Sequence, residues 1–327
     1  MTATTVATST AGPIGGPLGY LVEAVAAAAV VETAGRLGVL IRLKDAPAST
    51  AELAGRCDLS ERGARLMLAA LAGLGLIEDV GADAWRAALP DLPALTRITD
   101  MWAQLDEAVR GGRPLFRGDT PAGAAAFYPD AVGHLGTMLA AVAERAAQLL
   151  PPAARVLDVG AGAAPWSLAV AAHDPDCMVT AVDLPAVLPA TRRAVRSTGL
   201  QQQFRFVGGD VFDVELRPEA YDLAIAGNLC HLFDEAANRR LLGRLFDTLG
   251  PRGTLAILDV MPGDGPTPRW AALYELGLML RTASGRVHRL ATYLDWLRDA
   301  GFQPPERHLL VEQAQVVMLV AHKPAGR

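Results

Sequence analysis

The hydrophobic positions of the chain follow two different periods, one on each side of about residue 150. In YLVEAVAAAAVVETAGRLGVL, apolar residues such as Leu21, Val25 and Ala28 recur at helical spacing, and helical patterns continue to about residue 145. From about residue 153, short β-rich runs alternate with stretches of helical pattern. The pattern therefore predicts a helical N-terminal part followed by an alternating β/α part.

The N-terminal part contains the signals of two capped helices and a hairpin. Ser49 and Glu52 stand in the S-x-x-E spacing of a capping box, and Ser60 is placed to cap the next helix. The stretch GLGLIEDVGADAWRA then predicts a short β-hairpin. Helix, turn, helix and hairpin in this order indicate a winged-helix domain.

Winged-helix domains commonly bind DNA, so a DNA-binding regulator is one hypothesis for this chain. The helix that would enter the groove offers only Arg62 and Arg65 among many alanines and leucines. Base readout needs several outward-facing cationic or amide side chains. The apolar surface instead predicts packing against a second copy of the chain. We therefore expect a homodimer formed through the N-terminal domain and no nucleic-acid partner; a nucleoside-responsive regulator is the alternative from another class.

The C-terminal part carries six β-rich runs. They are RVLDV at 155–159, MVTAVD at 178–183, FRFVGGD at 204–210, YDLAIAG at 221–227, GTLAILDV at 253–260 and QVVMLVAHK at 315–323. Their alternation with helical stretches predicts a doubly wound α/β fold with a mostly parallel sheet. The predicted division of the chain is a flexible tail at 1–18, a winged-helix dimerisation domain at 19–100, a helical connector contributing to the substrate pocket at 101–150 and an α/β domain at 151–327.

The composition is that of a globular protein with two domains. Its 327 residues exceed what one core usually holds, and a net charge of −5 disfavours nucleic-acid binding. Cys57, Cys177 and Cys230 form no CxxC pair, which predicts free thiols in a reducing compartment. Because Glu23 and Glu32 interrupt the apolar N-terminal stretch, we expect a cytoplasmic protein without a membrane span.

The segment VLDVGAGAAPWSLAVA, residues 156–171, predicts a strand, a glycine-rich turn and a helix. Gly160 allows the tight turn, and Gly162 lets a ligand approach the backbone closely. Pro165 stands where a dinucleotide-binding G-x-G-x-x-G loop carries its third glycine, and the chain has no GxxxxGK[ST] motif. The loop therefore favours a nucleoside over a dinucleotide or a triphosphate.

Three aspartates accompany this loop, one just before it and two at the ends of later strands. Asp158 lies two residues before Gly160, where a carboxylate suits a cation better than a pyrophosphate. Asp183 ends the next strand, where a carboxylate can accept hydrogen bonds from both ribose hydroxyls. Asp210 follows a further strand and could accept a hydrogen bond from an adenine amino group. S-adenosylmethionine has a ribose, an adenine, an ammonium and a sulfonium, and no phosphate, so it fits this set; the alternative for each aspartate alone is a strand-end cap.

With these motifs the segment 156–259 resembles the class I S-adenosylmethionine-dependent methyltransferases. Together with the helical N-terminal part, residues 20–325 resemble the dimeric small-molecule O-methyltransferases of plants and of bacterial natural-product pathways. The resemblance implies a Rossmann-like seven-stranded sheet that ends in an antiparallel hairpin, with S-adenosyl-L-methionine converted to S-adenosyl-L-homocysteine. The cofactor residues that it implies are Asp158, Gly160 and Gly162 at the methionine end, Asp183 and Leu184 at the ribose, Asp210 with Val211 or Phe212 at the adenine, and Asn228.

His231 follows the fourth strand, at the sheet edge where ligands bind in this fold. In the resembled family a histidine here removes the proton from the acceptor hydroxyl, and Asp259 at the end of the fifth strand could orient it. The chain departs from the family pattern, because Leu232 and Phe233 follow the histidine in place of Asp-Trp. Val287, followed by His288, also stands where the family often has a carboxylate. A satisfied core histidine is the alternative for His231, and we expect no metal site.

The acceptor is expected to be a small and aromatic metabolite. Aromatic residues at helical spacing would suit a flat apolar molecule, although such stripes more often belong to a core. The predicted acceptor residues are Trp102, Phe127, Tyr128, Trp270, Tyr274 and His288. The predicted reaction is methyl transfer to a hydroxyl oxygen; methylation of carbon or nitrogen with the same cofactor site is the alternative.

Overall fold

A computed structural model of the protein describes residues 16–89 and 92–325. These residues form two compact units, and the division falls after Ala103. Helix α1 begins at Gly16, so the predicted tail at 1–18 lies mostly outside the described residues. The other predicted domain boundaries stay predictions.

The first unit consists of five helices and a small antiparallel sheet. The helices are α1 (Gly16–Arg36), α2 (Val39–Asp45), α3 (Thr50–Arg56), α4 (Glu61–Gly73) and α5 (Ala94–Trp102), and the strands are β1 (Ala48–Ser49), β2 (Ile77–Gly81) and β3 (Ala84–Ala87). The Ser49–Glu52 capping box is formed at α3, and the Ser60 hydroxyl accepts from the Gly63 amide at the start of α4. Both predicted helix starts and the predicted hairpin are therefore present.

Helix α1 is unusual for its exposed apolar surface. Leu18, Leu21, Val22 and Val25 are each more than half exposed. By length and composition, α1 is the single helix among the described residues that could cross a membrane, and 6% of its apolar stretch is buried in the fold. These four side chains are thus largely uncovered in the described chain, whereas Val30, Val31 and Ala34 of the same helix pack in the core of the first unit.

The second unit contains seven helices around a seven-stranded sheet. The helices are α6 (Leu105–Gly111), α7 (Pro121–Ala147), α8 (Pro165–His173), α9 (Leu188–Thr198), α10 (Glu235–Thr248), α11 (Arg269–Arg281) and α12 (Leu290–Asp299), and the strands are β4 (Arg155–Val159), β5 (Met178–Asp183), β6 (Phe204–Gly208), β7 (Tyr221–Gly227), β8 (Leu249–Val260), β9 (Glu306–Val311) and β10 (Val316–His322). Two single turns of 3₁₀ helix lie at Gln201–Gln203 and Cys230–Leu232.

The sheet has the order β6-β5-β4-β7-β8-β10-β9. The first five strands in this order are parallel, and β10 pairs antiparallel with both β8 and β9. The inner strands are almost entirely buried, as expected for a sheet covered by helices on both faces. The predicted α/β fold is therefore confirmed.

The order of the strands decides where a ligand can bind. The chain moves outward from β4 to β5 and β6, and then returns to the other side of β4 with β7 and β8. The connections therefore diverge between β4 and β7, and a crevice opens at the carboxyl ends of the strands. All the strand-end residues singled out above lie along this edge.

Candidate active site

The turn after β4 is shaped by two glycines with left-handed backbone conformation. Gly160 has φ +66° and Gly162 has φ +57°. A Cβ on Gly160 would lie 2.7 Å from Cδ1 of Leu229, so a larger residue there would displace the Leu229 side chain. The Gly160 amide also donates to the Val182 carbonyl at 2.9 Å, which joins the turn to β5.

Asp183, the last residue of β5, is tied to this turn through the backbone. Its Oδ2 accepts from the Gly162 amide and its Oδ1 from the Leu184 amide, each at 2.7 Å. Burial raises the pKa of Asp183 to about 6, although both hydrogen bonds act to lower it. The carboxylate is fixed in place and still has lone pairs available for hydroxyl donors.

Asp210, in the turn after β6, is likewise held by a backbone amide. Its Oδ1 accepts from the Phe212 amide at 2.9 Å. Asp210, Val211 and Leu184 line the same cavity as Asp183. Phe212 instead packs its ring edge-on against Phe233, with 5.0 Å between the ring centroids.

Asp158 lies behind the glycine turn rather than in the cavity. It is 1% exposed, and its Oδ2 accepts from the Ser167 hydroxyl at 2.5 Å. Burial raises the pKa of Asp158 to about 7, against the lowering effect of this hydrogen bond. A carboxyl group with this pKa is partly protonated at neutral pH.

The cavity at the strand ends has a volume of about 390 Å³, within the range of small-molecule sites. Gly160, Gly162 and Asn228 all line it. Asn228 has a positive φ of 55°, and its Oδ1 is buried without a hydrogen-bond partner in the described structure. An unpartnered buried acceptor is costly, so this atom is ready to bind a donor from a ligand.

His231 lies in the short turn after β7 with its backbone held on both sides. Its amide donates to Oδ2 of Asp259 at 3.2 Å, and its carbonyl accepts from the Arg286 amide at 2.9 Å. Gly285 is needed here because a Cβ would lie 2.8 Å from the His231 carbonyl oxygen. The turn that carries the imidazole is therefore closely packed.

The imidazole of His231 lies between an acid and a phenol. Nδ1 is 2.7 Å from Oδ1 of Asp259, and Nε2 is 3.1 Å from the hydroxyl of Tyr274. A carboxylate only accepts hydrogen bonds, so Nδ1 carries the proton and Nε2 is left as the acceptor. This tautomer has its basic nitrogen on the side of Tyr274, which lines the cavity.

Asp259 is fully buried and accepts four hydrogen bonds. Besides the two from His231, its Oδ1 accepts from the Val260 amide at 2.9 Å and its Oδ2 from the Tyr293 hydroxyl at 3.1 Å. Burial by itself would raise the pKa of Asp259, but the His231 charge and these hydrogen bonds keep that pKa below its ordinary value. Asp259 is therefore ionised at neutral pH and holds the imidazole in one orientation.

Tyr274 is also close to a cationic side chain, Arg281. The two residues are seven apart on α11, and the guanidinium carbon lies 5.4 Å from the centre of the tyrosine ring. Burial raises the pKa of Tyr274 to about 12, with Arg281 acting to lower it. The phenol therefore stays protonated and can donate to Nε2 of His231.

The predicted acceptor residues are divided between the cavity and other places. Tyr128, Trp270 and Tyr274 line the cavity. Phe127 packs against the Phe116 ring, with 5.0 Å between the ring centroids. Trp102 ends α5 in the first unit, and His288 is buried, with Nε2 placed 2.9 Å from the Phe233 carbonyl, to which it can donate.

Sequence reasoning missed Arg281, Tyr293 and Ser167. Arg281 could have been found, because it continues the helical stripe of Trp270 and Tyr274 that faces the cavity. The contacts of Tyr293 and Ser167 join residues from separate elements, and no spacing in the sequence indicates them. No cluster of His, Cys, Asp and Glu that could hold a metal ion occurs in the described part of the chain.

The chain is similar to known methyltransferases. A family model described as an O-methyltransferase domain matches residues 102–303. The chain is 32% identical over 299 residues to the tetracenomycin polyketide synthesis 8-O-methyl transferase TcmO of Streptomyces glaucescens, covering 81% of this chain and 85% of that protein. It is 28% identical over 301 residues to the 3-hydroxy-5-methyl-1-naphthoate 3-O-methyltransferase of Streptomyces sahachiroi, covering 84% of each.

The fold is similar to that of a solved methyltransferase. The crystal structure of human N-acetylserotonin methyltransferase in complex with S-adenosylmethionine superposes with a TM-score of 0.73 at 22% identity. The match covers 94% of this chain and 97% of that chain. At this identity the likeness supports the fold.

Proposed function

Because the chain belongs to the O-methyltransferase family and is an S-adenosylmethionine-dependent methyltransferase, we propose that it methylates a hydroxyl of a small aromatic metabolite, with His231 as the general base. The observation that carries this proposal is the Asp259–His231 pair, whose Nε2 accepts from the Tyr274 hydroxyl beside the cavity. Bound S-adenosyl-L-methionine supplies the activated methyl group, and S-adenosyl-L-homocysteine is the product.

The residues at the ends of β4, β5 and β6 fit this cofactor. Asp183 would accept from the ribose hydroxyls, and Asp210 with Val211 would hold the adenine. Gly160 and Gly162 leave room for the methionine part, and the unpartnered Oδ1 of Asn228 would accept from its ammonium group. We call Asp183, Asp210 and the glycine turn the nucleoside end of the cavity.

Asp158 would act on the cofactor from a distance. Its buried carboxyl binds Ser167 and contributes negative charge beneath the glycine turn when it is ionised. A cationic cofactor above the turn would favour that ionised form.

The other end of the cavity suits a flat acceptor. Tyr128, Trp270, Tyr274 and Arg281 line it together with His231, and we call this set the acceptor end. The acceptor hydroxyl would take the place of the Tyr274 hydroxyl at Nε2 of His231. A phenol has an ordinary pKa near 10 and is mostly protonated at neutral pH, so its oxygen becomes a good nucleophile as Nε2 takes the proton. Asp259 stabilises the imidazolium that results.

The test of the base is the pH dependence of turnover in His231→Gln, with an acceptor found in a screen of phenols, amines and activated carbon acids. We expect kcat to fall about 10²- to 10⁴-fold on a phenol, while calorimetry gives the wild-type affinity for S-adenosyl-L-homocysteine. Full turnover by the variant across pH 6–9 would remove His231 from the mechanism. Turnover of amines or carbon acids alone would replace O-methylation by the alternative reaction.

Helix α1 supports a second part of the proposal, a cytoplasmic homodimer formed through the N-terminal unit. Its exposed Leu21, Val22 and Val25 would be covered by the same helix of a second copy. The described structure has three free cysteines, which agrees with a reducing compartment. Light scattering should give a dimer for the wild type and a monomer for the double variant Val22→Glu, Val25→Glu. A wild-type monomer at micromolar concentration, or a protein that needs detergent to stay in solution, would contradict this arrangement.

A further inference from the structure

Arg281 is a partly buried cation without an acidic partner in the acceptor end of the cavity. No carboxylate in the described part of the chain forms an ion pair with its guanidinium. Its Nε is buried and has no hydrogen-bond partner. Removing even part of a charge from water is unfavourable unless the charge is paired, so this cavity-lining side chain is suited to bind an anion.

The nearby acid does not supply that anion. Oδ2 of Asp119 accepts from the amide and the hydroxyl of Ser284, at 3.2 and 3.1 Å. Its Oδ1 lies 3.9 Å from Nε of Arg117, beyond hydrogen-bond distance, and is buried without a hydrogen-bond partner in the described structure. Asp119 is paired with Arg117 and forms no ion pair with Arg281, whose charge is left without a direct acidic partner.

A neutral donor accompanies Arg281. The hydroxyl of Tyr128 is buried without a hydrogen-bond partner, and Tyr128 lines the same cavity. Burial lowers the pKa of Arg281, but the hydroxyls of Tyr274 and Tyr128 raise it above its ordinary value, so the guanidinium stays charged. A guanidinium and a phenol hydroxyl together form a site for an oxygen anion.

The position of this site relative to the base sets the shape of the ligand. Tyr274 connects the two, because its hydroxyl lies 3.1 Å from Nε2 of His231 and also forms a hydrogen bond with the Arg281 side chain. The base and the cation therefore lie beside the same phenol. An aromatic ring with a hydroxyl and an acidic group close to each other would reach both.

We propose that the acceptor is an aromatic carboxylic acid whose carboxylate binds Arg281 and Tyr128 while its hydroxyl lies at Nε2 of His231. This inference rests on the proposed function for the position of the hydroxyl. The ion pair orients the ring, so Arg281 determines specificity and takes no part in the proton transfer. Neutral phenols of the same size would leave the guanidinium unpaired and bind less well.

The experiment compares hydroxynaphthoates with the corresponding hydroxynaphthamides, which have the same shape and no charge. Calorimetry measures their binding to protein loaded with S-adenosyl-L-homocysteine. The wild type should bind the acid about 10- to 100-fold more tightly than the amide, since a charge-assisted pair replaces a neutral contact. Equal affinity for acid and amide, or no binding of any hydroxynaphthoate, would overturn the proposal.

Three variants show whether Arg281 is responsible. Arg281→Met should remove the preference for the acid, and Arg281→Lys should restore part of it. The matched control is Arg196→Met, which removes an exposed arginine from the last turn of α9 and should keep the full preference. An undiminished preference in Arg281→Met would refute the assignment.

Arg281 could instead bind the carboxylate of the cofactor's methionine part, and a second titration separates the two ligands. S-adenosyl-L-homocysteine has that carboxylate and 5′-methylthioadenosine lacks it. If Arg281→Met weakens binding of the first compound only, Arg281 holds the cofactor and the proposal is wrong. If the acid preference is present but no methyl reaches the hydroxyl, the proposed function fails while the carboxylate site stands.

Discussion

At the nucleoside end of the cavity each acidic side chain is held by backbone amides, whereas at the acceptor end the polar side chains hold one another. Asp183 and Asp210 accept from amides within or beside their own turns. His231 depends on Asp259 and Tyr274, which come from β8 and α11. The nucleoside end therefore changes only when the backbone changes, whereas a single side-chain substitution can alter the acceptor end.

Among the variants that test this difference, we expect Asp259→Asn to have the largest effect. Four donors converge on the two oxygens of Asp259, and an asparagine offers them only one oxygen, so its amide group must face buried donors. We expect kcat to fall about 100-fold, because the imidazole loses its orientation. Affinity for S-adenosyl-L-homocysteine, measured by calorimetry, should stay within twofold of wild type.

The control for this variant is Tyr293→Phe, which removes one donor to Asp259 and leaves the His231 contacts in place. We expect a loss of about 1 kcal/mol in the free energy of unfolding and a small change in kcat. Equal losses of kcat in the two variants would show that Asp259 acts through packing alone.

The second effect concerns the stability of the fold behind the glycine turn, in Asp158→Asn. Because burial raises the pKa of Asp158 to about 7, the folded state favours the protonated acid. The stability that this provides is complete below the ordinary pKa and is lost as the pH rises towards 7. The variant, which stays neutral, should therefore gain about 2–3 kcal/mol over wild type between pH 5 and pH 8 in urea unfolding without cofactor. A constant difference between the two proteins would show that Asp158 is ionised throughout.

The third effect is on cofactor affinity and tests whether Asp183 binds as a carboxylate. With a pKa of about 6 in the free protein, Asp183 is mostly ionised at pH 7 and mostly protonated at pH 5. Accepting from two hydroxyls requires the ionised form, so affinity for S-adenosyl-L-homocysteine should fall about tenfold from pH 7 to pH 5. Asp183→Asn should bind weakly with a flat pH profile, while Asp158→Asn should keep the tenfold change. A wild-type profile without this change would argue against the ribose contact.

The smallest effect is expected in Tyr274→Phe. The Tyr274 hydroxyl occupies Nε2 of His231 before the acceptor does, so its removal leaves the base open but loses one donor beside Arg281. We expect a change of about threefold or less in kcat/KM for a hydroxynaphthoate, in initial-rate measurements. A loss of about 100-fold would mean that Tyr274 transfers the proton itself.

The same difference between the two ends explains what could be predicted from the sequence. A glycine turn and an acidic residue at a strand end have fixed distances along the chain, so the sites of Gly160, Asp183 and Asp210 followed from spacing. The position of Asp259 near His231 could also be predicted, because β7 and β8 are neighbouring parallel strands whose ends meet at one edge of the sheet.

Other contacts depended on side-chain direction, which spacing does not determine. Asp158 was expected to face the cofactor, and its side chain turns instead towards Ser167 on α8. Arg281 and Tyr293 come from helices whose rotation about their own axes is set by packing against the sheet. For that reason the acceptor end was predicted as an aromatic surface, and its charge was missed.

The tight turn around His231 has a consequence for how such an enzyme can diversify. The amide and carbonyl of this residue are both hydrogen-bonded, and a Cβ on Gly285 would clash with its carbonyl oxygen. The side chains that would recognise the acceptor are on α7 and α11, and Tyr274 is the one among them that hydrogen-bonds His231 in the described structure. A lineage can therefore exchange Tyr128, Trp270 or Arg281 and acquire new acceptors while the Asp259–His231 pair is inherited unchanged. A mutant library limited to those positions would search substrate specificity with little risk to catalysis.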